Sequence, residues 1–166
     1  SGGTDFLSRG EAALRELGHT VHRLGNAKQL ITAPWRLQHI DLVFNIAEGS
    51  HGRCREAWVP MLLEHWGVPF VGSGPTALAV GLDKVMSKRL AVAHGLRTPA
   101  WRCVDDARRL PSDWPLRFPA IGKPRYEGSG IGIDPGAVVR SREALEARVR
   151  WALARFAQPI LIEEFI

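Results

Sequence analysis

Cysteine is scarce in this chain: its 166 residues include two, Cys54 and Cys103. They form no CxxC pair and have no histidine at ligand spacing, so both read as reduced thiols rather than a disulfide or a zinc site. His51, His65 and His94 are not spaced as metal ligands either, and no metal site is expected among these residues. No apolar run approaches the roughly 20 residues of a membrane-spanning helix. The opening SGGTDFLSRG holds no apolar signal core, so a cytoplasmic protein without membrane contact is expected. Lysines and arginines are spread along the chain with no basic block interleaved with aromatics, which argues against a dedicated nucleic-acid binder. No GxGxxG follows the first strand with an acidic residue about 20 positions on, which excludes a dinucleotide oxidoreductase. Internal repeats and low-complexity segments are absent.

What is present suffices for a folded core. The chain is 45% hydrophobic and 23% charged, neither disordered nor membrane-like, and its length suits one ordinary domain or two small ones. The formal charge of +5 reads first as a solvated, arginine-rich surface. It also suits an anionic small substrate such as a nucleotide.

In order, residues 6–17 carry Phe6, Leu7, Ala13, Leu14 and Leu17 near helical spacing, with Gly18 as C-cap. Residues 19–24 alternate, with Val21 and Leu24 inward, and predict a strand. Residues 26–38 are ambiguous, since Pro34 limits any helix. Residues 40–46 form a continuous apolar strand of the type found in parallel sheets covered on both faces. A polar glycine loop, 47–53, leaves its C-terminal end, where ligands bind in open α/β sheets. A helix with Pro60 in its first turn ends at Gly67, a short strand covers 68–71, and Gly72, Ser73, Gly74 and Pro75 turn the chain. A helix follows over 83–94, ended by Gly95, then a strand over 98–104 and a polar connection over 105–115. After a strand at Val138 and Val139, Ser141 caps a helix over 142–157 striped by Leu145, Val149, Leu153 and Phe156. A last strand covers 159–166.

The central stretch, 118–133, reads FPAIGKPRYEGSGIGI. A buried strand delivers Lys123 and is followed by the glycine-rich turn Glu127, Gly128, Ser129, Gly130. A compact ammonium beside unshielded backbone N–H groups is suited to gripping phosphates. The bland alternatives stay open on the residues alone. The loop could be a plain hairpin turn, Lys84 could belong to a solvated basic face with Lys88 and Arg89, and Glu48 could merely cap the following helix. Of Glu163 and Glu164, one should be a solvent charge, since neighbours on a strand face opposite ways. Ser129 has no His/Asp partner pattern for a nucleophilic triad.

Several pieces in register resemble the ATP-grasp superfamily, and specifically its D-alanine–D-alanine ligase family. They are the strand and loop over 43–52, LLEHWGVPFV over 62–71, GSG over 72–74, Leu82-Asp83-Lys84 with Ser87-Lys88, Gly122-Lys123-Pro124 with Glu127-Gly128-Ser129, and LIEEFI over 161–166. The resemblance implies an α/β protein: a Rossmann-like pre-ATP-grasp domain with a parallel sheet over 1–82, then the α+β N-terminal lobe of an ATP-grasp domain over 83–166. It implies an ATP-dependent carboxylate–amine ligase of peptidoglycan precursor synthesis that works through an acyl phosphate, with ATP, Mg2+ and D-alanine as ligands, as a homodimer.

By the same resemblance, Lys84 and Lys123 hold the ATP phosphates, and the loop with Glu127, Gly128, Ser129 and Gly130 closes over them. Glu163, Glu164, Phe165 and Ile166 form the segment that reads the nucleotide. Ser129 and Glu48 serve the amino-acid site. Two departures stand out. The family usually has His where this chain has Glu48, which bears on substrate identity. It often has a second Ser where this chain has Gly130, which leaves the loop amides available. A first strand before residue 1 and a second lobe after Ile166, with the magnesium ligands, are expected of the whole protein, and the 166 residues by themselves are expected to be inactive.

Overall fold

The computed structural model describes residues 2–111 and 115–166, with side chains from Phe6 onward. The expected 105–115 connection therefore includes positions 112–114 that lie outside the described residues.

Helix α1 (Gly2–Glu16) ends where Gly18 takes φ 89° and the His19 N–H reaches Leu14 O at 3.1 Å. Residues 19–24 form no strand, which corrects the expectation. Leu24 does turn inward against the first core cluster. The carbonyls of Arg23 and Leu24, however, accept from the Arg36 guanidinium at 3.3 Å each. Inward alternation alone makes no strand when side chains satisfy the backbone instead. Helix α2 (Ala27–Thr32) fills the ambiguous region behind an Asn26/Gln29 capping box. Pro34 opens a short 3-10 turn, Pro34–Leu37.

Strand β1 (Val43–Phe44) is shorter than the apolar run around it. It pairs in parallel with β2 (Phe70–Val71). Helix α3 (Trp58–His65) lies between them in sequence and packs beneath. Leu30, Leu37, Val43, Val59 and Leu63 form this core. The expected cover on both faces is not found, because Leu42, Phe44 and Ile46 are all exposed. Helix α4 (Pro75–Leu82) was not anticipated. Its residues read as a turn followed by a boundary, yet Pro75 sits at the first helical position, where its missing N–H is harmless. It packs on the Arg55–Ala57 turn, α3 and the next helix.

Helix α5 (Lys84–Ala93) is capped by Asp83, whose side chain accepts from the Val85 and Met86 N–H groups. Then come β3 (Trp101–Val104), β4 (Ala120–Pro124), β5 (Val138–Val139), α6 (Arg142–Phe156) and β6 (Ile160–Glu164). The sheet order is β3-β6-β4-β5, antiparallel throughout. The last strand thus lies in the middle, and Ile160, Leu161 and Ile162 are fully buried. Helix α6 starts at the expected Ser141 cap. Its Leu145, Val149 and Ala152 pack on Val104, Ala120, Val139, Ile160 and Ile162. Residues directly opposite in a ladder share a face. Lys123 opposite Leu161, and Ile121 opposite Glu163, therefore lie on the face turned away from α6. No helix among the described residues is long and apolar enough to cross a membrane.

Candidate functional site

The site grows from the junction of α5 with the end of β4. Asp83 caps α5 and also accepts Arg125 Nε at 2.7 Å and Arg125 Nη2 at 2.6 Å. Arg125 lies two residues after Lys123, and its carbonyl accepts the Lys84 N–H at 3.3 Å. One bidentate pair thus fastens the helix start to the strand end, with Lys84 beside Lys123. Burial would raise the Asp83 carboxyl, but the hydrogen bonds from Arg125, Met86 and Val85 outweigh it and hold the group below its ordinary value.

Lys84 lies half-buried. Burial first, and the Lys123 charge second, push its ammonium below the ordinary lysine value, against the opposing pull of Glu127. Its Nζ donates to the Glu127 carbonyl. Lys123 Nζ pairs with Glu163 Oε1, and Lys88 Nζ pairs with Glu163 Oε2 at 2.7 Å. Lys88 also donates to Thr98 Oγ1 and, at 3.2 Å, to Pro99 O. Glu163 is 8% exposed. Burial would raise its carboxyl, but the hydrogen bonds and charges of Lys123 and Lys88 hold it below the ordinary value.

The glycine loop leaves β4 under tight control. Both Glu127 carboxylate oxygens are taken, one by Arg55 Nη2 at 2.9 Å and the other by Gln158 Nε2 at 2.7 Å. Arg55 Nη1 also donates to Tyr126 O at 2.6 Å, and Gln158 Oε1 accepts the Tyr126 N–H at 2.7 Å. Arg125 and Arg53 lie over the Tyr126 ring at 4.9 and 5.4 Å from its centroid. Beyond this anchor, Ser129 sits in the left-handed region at φ 50°, and its hydroxyl donates to Glu48 Oε1 at 3.0 Å. Gly132 has φ 79°, and a Cβ there would lie 2.5 Å from Pro124 Cδ, so only glycine fits. Ile131 and Ile133, which flank it, are exposed.

Next to the loop lies a cavity of about 610 Å³ lined by Asn45, Ile46, Glu48, Glu56, Ser73 and Leu78, among others. Glu56 Oε1 also approaches Gly128, where a Cβ would stand 3.1 Å away.

The structure therefore gathers Lys84, Lys123, Glu127, Gly128, Ser129 and Glu163, and reaches Glu48 through Ser129. Glu164 faces the other way and accepts the Arg117 N–H at 3.0 Å. Phe165 donates its N–H to Pro119 O, and its side chain and that of Ile166 are exposed. Sequence reasoning missed Arg55, Lys88, Arg125 and Gln158 as partners of the site. Lys88 and Arg125 each lie within four positions of a chosen lysine, and that proximity was the available signal. Arg55 and Gln158 gave none, since each meets Glu127 only through the fold.

Models of known protein families give no match. Among solved structures, the D-alanine–D-alanine ligase of Bacillus anthracis complexed with ATP superposes with a TM-score of 0.68. It is 24% identical and covers 86% of this chain and 45% of that chain. The fold is thus mixed α/β and shared with ATP-grasp ligases. The D-alanine–D-alanine ligase of Aquifex aeolicus is 36% identical over 157 residues, which is 93% of this chain and 50% of that protein. An uncharacterized protein, y4sG, of Sinorhizobium fredii is 35% identical over 162 residues, 93% of this chain and 47% of its own length. Relatives of that name are 32–36% identical over 93–94% of this chain, so the chain is similar to the D-alanine–D-alanine ligase family. It spans about half the length of the curated relatives it matches.

Proposed function

We propose that the whole protein is an ATP-dependent carboxylate–amine ligase that joins two D-alanines in peptidoglycan precursor synthesis, and that the cluster around Lys84 and Lys123 holds the ATP phosphates. The observation that carries this reading is the state of Lys84. Its half-buried ammonium, which donates to the Glu127 carbonyl, lies within electrostatic reach of the Lys123 ammonium, and an anion bound between the two would relieve their repulsion. The neighbouring glycine loop offers backbone donors for the same anion.

In this reading ATP supplies the phosphoryl group that activates the first amino acid's carboxylate, and the second amino acid's amine then displaces phosphate. Lys84 and Lys123 offset the charge on the transferred group. Glu163 and Lys88 keep Lys123 in place. The loop over 128–131 closes on the phosphates and keeps out water that would hydrolyse the acyl phosphate. Glu48 lines the cavity in which the first amino acid would sit, and Ser129 donates to Glu48. Glu164, Phe165 and Ile166 lie at the strand end where, by family resemblance, the adenine is read.

Magnesium belongs to the same reading. Among the described residues no group of three His, Cys, Asp or Glu could hold a metal ion. Residues 1–82 would be the pre-ATP-grasp unit and 83–166 the first ATP-gripping lobe of a cytoplasmic homodimer.

The test is ATP-dependent phosphate release by the whole protein with D-alanine, in wild type and Lys123→Ala. Release that requires D-alanine and falls at least about a hundredfold in the variant, the scale of losing one charge-stabilising donor, is the expected result. No release with any amino-acid pair would end the ligase reading.

A further inference from the structure

One buried arginine stands apart from the lysines and the loop residues of the site. Arg148 lies midway along α6 with 7% of its side chain exposed. Its Nε donates to Gly122 O at 3.3 Å and its Nη2 to Gly132 O at 2.6 Å. Its Nη1 reaches both carboxylate oxygens of Asp134, at 3.0 and 2.8 Å. Its guanidinium lies 4.3 Å from the Trp151 ring centroid. Gly122 immediately precedes Lys123, and Gly132 is where the glycine loop ends. A single rigid fork therefore ties the lysine-bearing strand to the loop exit, a geometry that lysine's single ammonium cannot reproduce. Gly122 leaves the room for it, since a Cβ there would come within 3.3 Å of Arg148 Cγ.

The loop entry is held separately, by Arg55, Gln158 and Lys84 on Glu127. Between these two clamps, residues 128–131 have one side-chain hydrogen bond to the rest of the described residues, from Ser129 to Glu48. The clamps thus define where the glycine loop begins and ends.

We propose that Arg148 is a positioning residue for the phosphate-gripping loop. It fixes the loop exit against the strand that carries Lys123, so that the loop amides and the Lys123 ammonium meet one anion together. The proposal rests on the nucleotide reading above. It is distinct from a purely structural role, in which Arg148 only cements α6 to the sheet.

The test compares Arg148→Met, Arg148→Lys and Lys123→Ala in the whole protein, reading the KM for ATP, kcat, thermal unfolding and amide hydrogen exchange. Arg148→Met is expected to raise the KM for ATP about tenfold with kcat changed less than about twofold, the pattern of lost pre-positioning before chemistry. Exchange should quicken at 130–134 while the Leu145 and Val149 amides stay protected. Arg148→Lys should recover part of the KM. If Arg148→Met does not fold, Asp134→Asn at the exposed end of the cluster should move KM in the same direction by about threefold. An unchanged KM in a folded variant, or exchange that rises equally along α6, would overturn the proposal. Should Lys123→Ala also leave ATP affinity unaltered, the nucleotide reading itself fails. A weakened Lys123→Ala beside an unaffected Arg148→Met sinks the Arg148 role alone.

Discussion

Glu163 and Lys84 show how a single residue's surroundings set its response to pH. The folded Glu163 carboxyl lies below its ordinary value of 4.5, so its ion pairs add stability that is complete above that value and is lost as pH falls through the lowered one. Replacing it by glutamine removes this pH-dependent contribution. The acid limb of the melting-temperature profile should therefore be shallower in Glu163→Gln than in wild type, and coincident limbs below pH 4.5 would contradict the pairing seen here. Lys84 gives the same slope at the alkaline end, although there it is the charged form that folding disfavours. Its folded value is below 10.5, so between the two the unfolded chain binds more protons and stability rises with pH. The melting temperature of wild type relative to Lys84→Met should climb on the alkaline side up to 10.5. Gly132 is the third case. An alanine there meets Pro124 and a left-handed backbone, and should cost about 1–3 kcal/mol or more in denaturant unfolding. Lys123 and the glycines could be chosen from the sequence because their chemistry is local. Arg55 and Gln158 could not, because a side chain's partner 31 or 72 positions away is a property of the fold.

Among the elements, α6 follows most directly from its own residues. The Ser141 cap, the acidic first turn and the stripe through Leu145 and Val149 all stand as the spacing requires. Ser141→Ala should lower stability by about 1 kcal/mol, and Leu145→Ala, at a fully buried position, by about 2–5 kcal/mol. Equal losses in chemical denaturation would count against this ranking of cap and core. The elements that differed failed for a shared reason. Residues 19–24 had the alternation of a strand but no neighbour to ladder with, and residues 40–46 had the composition of a covered strand while their outer face stays open. Periodicity reports which side of a segment is apolar; it does not report what lies beside it. Helix α4 was missed because Gly72, Ser73, Gly74 and Pro75 read as a turn, whereas Pro75 starts a helix instead of stopping one.

At the scale of the whole molecule, the parallel pair β1-β2 and the antiparallel sheet meet through the glycine loop. Arg55 binds Glu127 and Tyr126 O, and Glu48 accepts from Ser129. Arg55→Ala should therefore loosen the loop entry without touching either core. Proteolysis within 126–131 should quicken by a clear factor while the melting temperature moves by only a few degrees, and unchanged cleavage would show that the latch holds nothing. The sequence by itself determined the family likeness, the helices with strong caps and stripes, and the two lysines with their glycine loop, because each of these is a short-range pattern of residue types. Only the tertiary structure decided that the last strand lies in the centre of its sheet, that Glu163 is shared by two lysines, and that Arg148 ties the loop exit to the lysine strand. Those facts depend on register and on which distant backbones come together, and no run of neighbouring residues encodes them alone.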